Sequence, residues 1–404
     1  MKRSLLTMVL FSAVCLAATA SGWSVVVDGA PLRGGDRMWT TDRGQIMAAI
    51  DDLKPELVDA YSLSFEGWQI TILAKGYGIT GMVTSPVMKR DGFEATFDAT
   101  PTIKDKILWM PIEALASLMN YTVEKNLAEK KLTINAPKIA ASPQQVETIR
   151  LNRMTSVFNN MSYPRPSIAS FKDILIPGTH GLMAARLYDP NPADTALKAL
   201  YVNIHGGGYT LGSIASSDHV CRDIANRSGQ KVLSIEYGMM PEYPFPTGWE
   251  DAYAEVKWTY DNAAKLGVDP SRIFVGGDSS GGNIANSVAM MARDRRQFSI
   301  AGVILAYPVI DMTASWASFV FKDPKDARNP YASPLLGELS GMPPALVLIA
   351  ETDGLRPEAE KYAALLSNAG NKGSALVVPG TKHGFLAVNP DAREMIARFI
   401  SQTR

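Results

Sequence analysis

The chain has 404 residues, of which 46% are hydrophobic, and its 40 basic residues balance 40 acidic ones. This length suits two domains better than one, and the apolar content is enough to bury a large core. Because there is no basic stripe or run, nucleic acid and anionic membrane surfaces are excluded as expected partners.

The first twenty residues have the pattern of a secretory signal peptide. Lys2 and Arg3 precede an apolar stretch from Leu5 to Ala18, and Ala18-Thr19-Ala20 supplies small residues for cleavage. The sequence therefore predicts an exported protein, periplasmic or extracellular. Retention of this segment as an anchor is the alternative, although the apolar stretch is short for a bilayer. Once the segment is removed, only Cys221 remains, so no intrachain disulfide can form.

Residues 23–137 predict a small α+β domain. One helix is expected directly after Pro111, because proline is favoured in a first turn and Ile112, Leu115 and Met119 recur on one face. Residues 138–145, small and close to prolines, predict a linker. Short β-like runs lie at residues 23–27, 68–73 and 131–134.

From residue 146 to residue 404, short apolar runs alternate with amphipathic stretches of helical length. Such runs are typical of strands buried on both faces, so the sequence predicts an α/β fold: a mostly parallel sheet with helices on both faces. The active site of such a sheet lies at the carboxyl ends of its strands. The predicted strands are 200–204, 232–235, 273–275, 303–307, 346–350 and 375–378, and the predicted helices are 217–228, 249–266, 281–293, 357–369 and 390–401.

A G-x-S-x-G motif, Gly277-Asp278-Ser279-Ser280-Gly281, follows a predicted strand and precedes a predicted helix. A nucleophile elbow requires this strand–turn–helix context, which places the serine at a helix N-terminus where negative charge is favoured. The glycines avoid side-chain clashes across the tight turn. A glycine-rich turn that merely ends a strand is the alternative.

A glycine run, His205-Gly206-Gly207-Gly208, ends the predicted strand 200–204. Consecutive glycines let main-chain N–H groups face a ligand, as an oxyanion hole requires. Gly207, Gly208 and Ser280 are the predicted donors, and His205, Gly206, Asp278 and Glu242 are predicted to support them. A plain flexible loop is the alternative, but the position at the end of a strand favours an active site.

Four histidines are candidates for the base. We expect His180 to lie in an exposed turn, His205 to brace the glycine run, and His219 to lie on a solvated helix face beside Asp218. His383 follows the last predicted strand, and it alone lies on a loop after both the serine and a suitable acid. The sequence therefore predicts His383 as the base.

Asp353 is the predicted acid, because it follows the strand 346–350 by a few residues. The chain order Ser279, Asp353, His383 is the one that this type of elbow demands. Glu351 is the alternative acid, but it lies closer to the strand. The predicted triad is thus a serine nucleophile, a histidine base and an aspartate that orients the histidine.

Residues 146–404 resemble the hormone-sensitive-lipase-type branch of the α/β-hydrolase carboxylesterases. The resemblance implies an α/β-hydrolase fold and hydrolysis of short to medium acyl esters without cofactor or metal. The export signal adds an extracellular, polymer-linked ester to the small-molecule esters expected as substrates. The matching pieces, in order, are His205-Gly206-Gly207-Gly208, Tyr237 with Pro241-Glu242 and Phe245-Pro246, Gly277-Asp278-Ser279-Ser280-Gly281-Gly282, Tyr307-Pro308, Ser333-Pro334-Leu335, Asp353-Gly354-Leu355-Arg356 and His383-Gly384-Phe385.

The chain departs from this family in three places. Gly238-Met239-Met240 stands where an arginine usually follows the tyrosine, and Ser280 stands where alanine is commoner. The segment between Asp311 and Ser333 is shorter than the usual cap, which predicts more open acyl and alcohol pockets.

The N-terminal region is similar to the N-terminal domain named after copper amine oxidases. Lys106-Ile107-Leu108-Trp109-Met110-Pro111, Asn120-Tyr121-Thr122-Val123 and Lys131-Leu132-Thr133-Ile134 carry the resemblance. Residues 23–145 contain no histidine or cysteine, so copper binding is not expected. By analogy we expect this domain to be an adaptor for a surface or polymer.

Other functions use the same residues. A peptidase, or a deacetylase acting on polysaccharides or xenobiotics, would have the same triad and differ in the loops that contact the alcohol or amine. A non-catalytic ligand-binding protein of this fold commonly lacks a triad member, whereas here all three are present.

Overall fold

The computed structural model describes residues 23–403 except 33–36, 55, 64–68, 75–76, 84, 86, 91–92, 97–98, 106, 120, 136–147, 150, 154–162 and 180–181. The predicted signal peptide, the predicted linker 138–145 and His180 therefore lie outside the described residues. None of the helices in this described part combines the length and apolarity needed to cross a bilayer.

The N-terminal domain is rich in strands and has one α-helix among its described residues. Its elements are β1 (Ser24–Val27), β2 (Ala30–Pro31), β3 (Trp39–Thr40), β4 (Ile46–Ala49), β5 (Ala60–Leu63), β6 (Gln69–Ala74), β7 (Tyr77–Met82), β8 (Val87–Arg90), β9 (Phe93–Thr96), β10 (Thr102–Lys104), β11 (Ile107–Pro111), α1 (Ile112–Leu118), β12 (Thr122–Asn126) and β13 (Lys131–Asn135).

These strands form three sheets, in the orders β12-β13-β1-β2, β10-β11-β4-β3 and β5-β6-β7-β8-β9. Residues alternate between exposed and buried along β6, as expected of a sheet with one face on a core. The predicted helix after Pro111 and the three predicted β runs are present, but the sequence did not indicate most of the five-stranded sheet. Several of its strands are short and carry glycine or charge, which weakens their period-two signal.

The second domain contains one eight-stranded sheet and the remaining helices. Its elements are β14 (Ser170–Pro177), β15 (Leu182–Asp189), β16 (Lys198–Ile204), α2 (Ile214–Ser228), β17 (Lys231–Ile235), α3 (Thr247–Asp261), α4 (Ala263–Leu266), β18 (Val268–Asp278), α5 (Ser280–Arg295), β19 (Gly302–Ala306), β20 (Ala345–Thr352), α6 (Arg356–Asn368), β21 (Gly373–Lys382) and α7 (Pro390–Gln402).

The sheet order is β14-β15-β17-β16-β18-β19-β20-β21. The strands from β17 to β21 are parallel, whereas β14 and β15 are antiparallel. The predicted mostly parallel sheet is thus confirmed, with two additional strands before residue 198. Much of β14 is only partly buried, so it lacks the continuous apolar run by which the other strands were found.

Helices cover both faces of this sheet, as predicted. Val202 and Val275 pack on one face against α3, α5 and α6, while Tyr201 and Phe274 pack on the other against α2 and α7. Every residue of β16 is buried, and five of its seven residues are apolar, the exceptions being Lys198 and Asn203. The carboxyl ends of β16, β18, β20 and β21 consequently meet along one edge, where the loops with the predicted site residues begin.

Candidate active site

Ser279 lies in a sharp turn between β18 and α5. Its backbone has φ 54° and ψ −119°, a strained conformation for a residue with a side chain. The turn closes tightly: a Cβ atom on Gly277 would lie 2.2 Å from the carbonyl oxygen of Ile204, and one on Gly281 would lie 2.1 Å from it. Only glycine fits at either position, so the motif has the steric role expected of a nucleophile elbow.

Three loops bring the predicted triad residues together. The Nε2 atom of His383 lies 2.9 Å from Oγ of Ser279, and its Nδ1 atom lies 2.7 Å from Oδ2 of Asp353. The Asp353 side chain is only 6% exposed, whereas that of His383 is 44% exposed. The other carboxylate oxygen of Asp353 accepts a hydrogen bond from the N–H of Leu355 at 3.0 Å, which fixes the carboxylate. This geometry allows the imidazole to take a proton from the serine while the carboxylate orients it.

Glu351, the alternative acid, is oriented elsewhere. Its Oε2 atom accepts a hydrogen bond from the N–H of Gly380 at 2.7 Å, so it braces the start of the histidine loop. Asp353 makes the contact with the imidazole instead.

The glycine run forms a loop that is held from two sides. The N–H of Gly206 donates to Oδ1 of Asp278 at 3.0 Å, and Nδ1 of His205 lies 2.9 Å from the Gly206 carbonyl oxygen. Gly207 has φ +130°, and a Cβ there would lie 2.1 Å from the carbonyl oxygen of Leu211. Among the described residues, the N–H groups of Gly207 and Gly208 have no hydrogen-bond acceptor and are therefore available to an oxyanion.

The loop is also fixed by residues that sequence analysis did not assign to it. The Nε atom of Arg153 donates to the carbonyl oxygen of Thr210 at 2.7 Å, and the same guanidinium pairs with Glu242 at 2.7 Å. Glu242 was predicted to support the site, but Arg153 was not, because the region between the domains carries no local motif.

Asp278 and Tyr307 form the wall behind the triad. Burial raises the pKa of Asp278, although the N–H of Gly206 and the nearby histidines act in the opposite direction. The hydroxyl of Tyr307 donates to Asp278 at 3.3 Å, and its ring packs edge-on against His383, with centroids 4.9 Å apart. Tyr307 thus limits the positions that the imidazole can take.

The prediction that His219 lies on a solvated face was wrong. The residue is 6% exposed, its ring stacks on Tyr163 at 4.7 Å, and Nε2 lies 3.2 Å from the carbonyl oxygen of Ala387. Burial lowers the pKa of His219. The helix face that carries His219 is covered by Tyr163 and by the loop after His383, which the sequence of α2 alone does not reveal.

A pocket of about 390 Å³ opens beside the triad. Gly207 and His383 line it, together with the polar residues Tyr163, Asn203 and His219. Among the described residues, Nδ2 of buried Asn203 has no hydrogen-bond partner. The pocket has room for one part of an ester.

The predicted thin cap corresponds to two short 3₁₀ helices. They span Ser315–Val320 and Pro324–Arg328 in the segment between Asp311 and Ser333.

Comparisons with known proteins agree with this geometry. Residues 201–387 match the model of a family described as alpha/beta hydrolase fold. The chain is 36% identical over 251 residues to the carboxylic ester hydrolase LipN of Mycobacterium tuberculosis (strain ATCC 25618 / H37Rv), a match that covers 55% of this chain and 66% of LipN. It is 30% identical over 253 residues to an arylesterase of Saccharolobus solfataricus, covering 57% of this chain and 82% of that protein.

Solved structures give the same result. A hyperthermophilic esterase from the archaeon Pyrobaculum calidifontis is 39% identical with a TM-score of 0.59, covering 64% of this chain and 95% of that one. EstE1, a thermophilic carboxylesterase cloned from a metagenomic library, is 37% identical with a TM-score of 0.60, covering 65% of this chain and 98% of EstE1. The likeness involves about two thirds of this chain.

Proposed function

This chain belongs to the α/β-hydrolase family, and on that premise we propose that it is an exported serine carboxylesterase for esters with short to medium acyl chains. The observation that carries the proposal is the unbroken network from Ser279 through His383 to Asp353. The names of the carboxylesterases and arylesterase that resemble it support the same reaction class.

In the proposed mechanism, His383 removes the proton of Ser279 while the serine oxygen attacks the ester carbonyl carbon. The carbonyl π electrons move to its oxygen, which accepts hydrogen bonds from the N–H groups of Gly207, Gly208 and Ser280. When the tetrahedral intermediate collapses, His383 returns its proton to the leaving alcohol. Water then attacks the acyl-enzyme by the same route and releases the acid, so neither metal nor cofactor is needed.

The primary test compares two adjacent serines. Ser279→Ala removes the nucleophile and should lower kcat on a short-chain nitrophenyl ester by at least about four orders of magnitude. Ser280→Ala keeps the main-chain N–H at that position and should retain most activity. Covalent labelling by an organophosphate should occur on Ser279 in the wild type and be lost in Ser279→Ala. Near-normal turnover by Ser279→Ala would refute the assignment.

Deacetylation of polysaccharides or xenobiotics, or peptide hydrolysis, is the second candidate, because the same network performs these reactions. A substrate panel distinguishes them when acyl length and leaving group are varied separately. Turnover that depends on acyl length with any good leaving group supports a general esterase. Turnover restricted to acetyl groups on sugars, or to amides, supports the alternatives. The absence of covalent labelling would instead favour a non-catalytic ligand-binding protein.

Export rests on the pattern of residues 1–20 and is part of the proposal. Mass spectrometry of the mature protein should find an N-terminus close to Ala20 in the extracellular or periplasmic fraction. A full-length, membrane-bound product would indicate an anchor.

The resemblance of the N-terminal domain to that named after copper amine oxidases, and its role as an adaptor to a surface or polymer, are also proposals. The strand-rich fold and the lack of histidine or cysteine in residues 23–145 support an adaptor rather than a copper site. Sedimentation of the protein with insoluble polysaccharides would test this role.

A further inference from the structure

The N-terminal domain packs against the part of the catalytic domain that follows the glycine loop, residues 205–212. Ile214, the first residue of α2, is 1% exposed and belongs to the hydrophobic core of the N-terminal domain, together with Ala184 of β15. Met88 of β8 is a member of the same core. An apolar side chain two residues after the loop is therefore buried against the other domain.

Glu236 connects this contact to the start of the loop. This buried carboxylate accepts a hydrogen bond from the N–H of Ile214 at 2.9 Å, and its other oxygen lies 3.6 Å from Nε2 of His205. The N–H of Glu236 donates to the carbonyl oxygen of Ala184 at 3.0 Å. One side chain thus contacts residues at both ends of the loop and is itself fixed to the strand that touches the N-terminal domain.

Arg90 supplies a charge to this cluster from the N-terminal domain. It lies on the same buried face of β8 as Met88, is 6% exposed, and donates to the carbonyl oxygen of Leu118 at 2.6 Å. Burial alone would raise the pKa of Glu236, but the His205 ring, the charge of Arg90 and the N–H of Ile214 together lower it. Arg90 therefore favours the anionic form of Glu236, which accepts the hydrogen bond from Ile214 and faces the His205 ring with its other oxygen.

We propose that the N-terminal domain positions the oxyanion loop of the catalytic domain, with Ile214, Glu236 and Arg90 as the positioning residues that connect them. This inference rests on the proposed function, since it assigns the loop to oxyanion binding. It gives the N-terminal domain a role in turnover in addition to any role in attachment. Displacement of a loop donor by a fraction of an ångström weakens its contact with the transition state more than it weakens substrate binding.

The test is a double-mutant cycle in the full-length protein. Arg90→Gln should lower kcat on a nitrophenyl ester about tenfold with KM within about twofold of wild type, because an interaction specific to the transition state is lost. Glu236→Gln should have a similar effect. In the Glu236→Gln background, Arg90→Gln should cause less than about a twofold further loss, since both substitutions interrupt one connection. Lys89→Gln, on the exposed face of the same strand, is the matched control.

A second readout does not depend on the choice of ester. Phosphorylation of Ser279 by a small organophosphate, with loss of its leaving group, also develops negative charge on an oxygen in the proposed hole, so Arg90→Gln should slow labelling about tenfold. A wild-type protein that is labelled but cleaves no ester would contradict the proposed function. The labelling rates of wild type and Arg90→Gln would still test whether the N-terminal domain positions the loop.

Labelling and turnover rates of Arg90→Gln equal to those of Lys89→Gln would overturn the proposal, as would losses that multiply in the double variant. If Arg90→Gln does not fold, Ile214→Ala tests the same connection between the domains, because it removes the apolar contact on the catalytic side. A folded Ile214→Ala protein with unchanged kcat and labelling rate would likewise overturn it.

Discussion

The guanidinium of Arg153 and the carboxylate of Glu242, 89 residues apart in sequence, form two hydrogen bonds of 2.7 and 3.1 Å in the interior of the protein. Both side chains are almost fully buried. Because Arg153 also donates to the carbonyl oxygens of Thr210 and Met240, this ion pair joins the glycine loop to the segment before α3.

Arg153→Met should therefore lower both stability and activity. It removes the Arg153 guanidinium from the buried Glu242 carboxylate, which is expected to reduce the free energy of unfolding by about 3–5 kcal/mol. Arg398→Met removes an exposed helical ion pair and should change it by less than about 0.5 kcal/mol. Denaturant unfolding of the two variants measures the difference, and similar values would show that the buried pair does not stabilise the fold.

Asp353→Asn should abolish most turnover while Glu351→Gln should not. An amide at position 353 favours the wrong imidazole tautomer and cannot stabilise the imidazolium, so kcat should fall by about four orders of magnitude. At position 351, a glutamine oxygen can still accept the hydrogen bond from Gly380, and kcat should stay within about threefold of wild type. Steady-state kinetics on a nitrophenyl ester measures kcat for both variants. A larger loss of kcat in Glu351→Gln than in Asp353→Asn would identify Glu351 as the acid of the triad.

Gly207→Ala should impair catalysis more than it impairs folding. The new methyl group would lie about 2.1 Å from the Leu211 carbonyl oxygen, so the loop must shift and its N–H donors with it. Since one oxyanion donor is worth about a hundred- to a thousand-fold in kcat, we expect a loss in that range.

Gly229→Ala provides the control for this substitution. Gly229 also has a positive φ, of +66°, but nothing lies within 4 Å of its Cβ position and it ends α2. The control should lose some stability and keep its kcat. Equal kcat values for the two alanine variants would contradict the assignment of the Gly207 N–H to the oxyanion hole.

His219 should make the protein sensitive to acid. Burial lowers its pKa in the folded state, so the unfolded chain, with a histidine pKa of about 6.5, binds a proton more readily. The contribution of neutral His219 to the free energy of unfolding is therefore fully present above about pH 6.5. It decreases as the pH falls from that value toward the lowered pKa of His219 in the folded state. His219→Gln keeps a donor for the Ala387 carbonyl but does not titrate, so its melting temperature should fall less between about pH 7 and pH 5. An equal fall in melting temperature for the wild type and His219→Gln over that pH range would contradict this account.

The sequence alone determined the fold class and the candidate catalytic residues. Strands buried on both faces are mostly apolar, so the central strands β16, β19 and β20 were visible as short apolar runs. A serine at a strand–helix turn with positive φ requires small neighbours, so Gly277 and Gly281 marked the elbow. Chain order then left His383 as the one histidine on a loop after both the serine and an acid.

Only the tertiary structure decided which distant groups touch these residues. Arg153, Arg90 and Glu236 carry no local signal, because a buried charge is recognised by its partner and that partner lies many residues away in the chain. The burial of His219 likewise depends on Tyr163 and Ala387, which come from other segments. Local patterns specify what kind of environment a side chain requires, whereas the packing of separate segments determines which residues provide it.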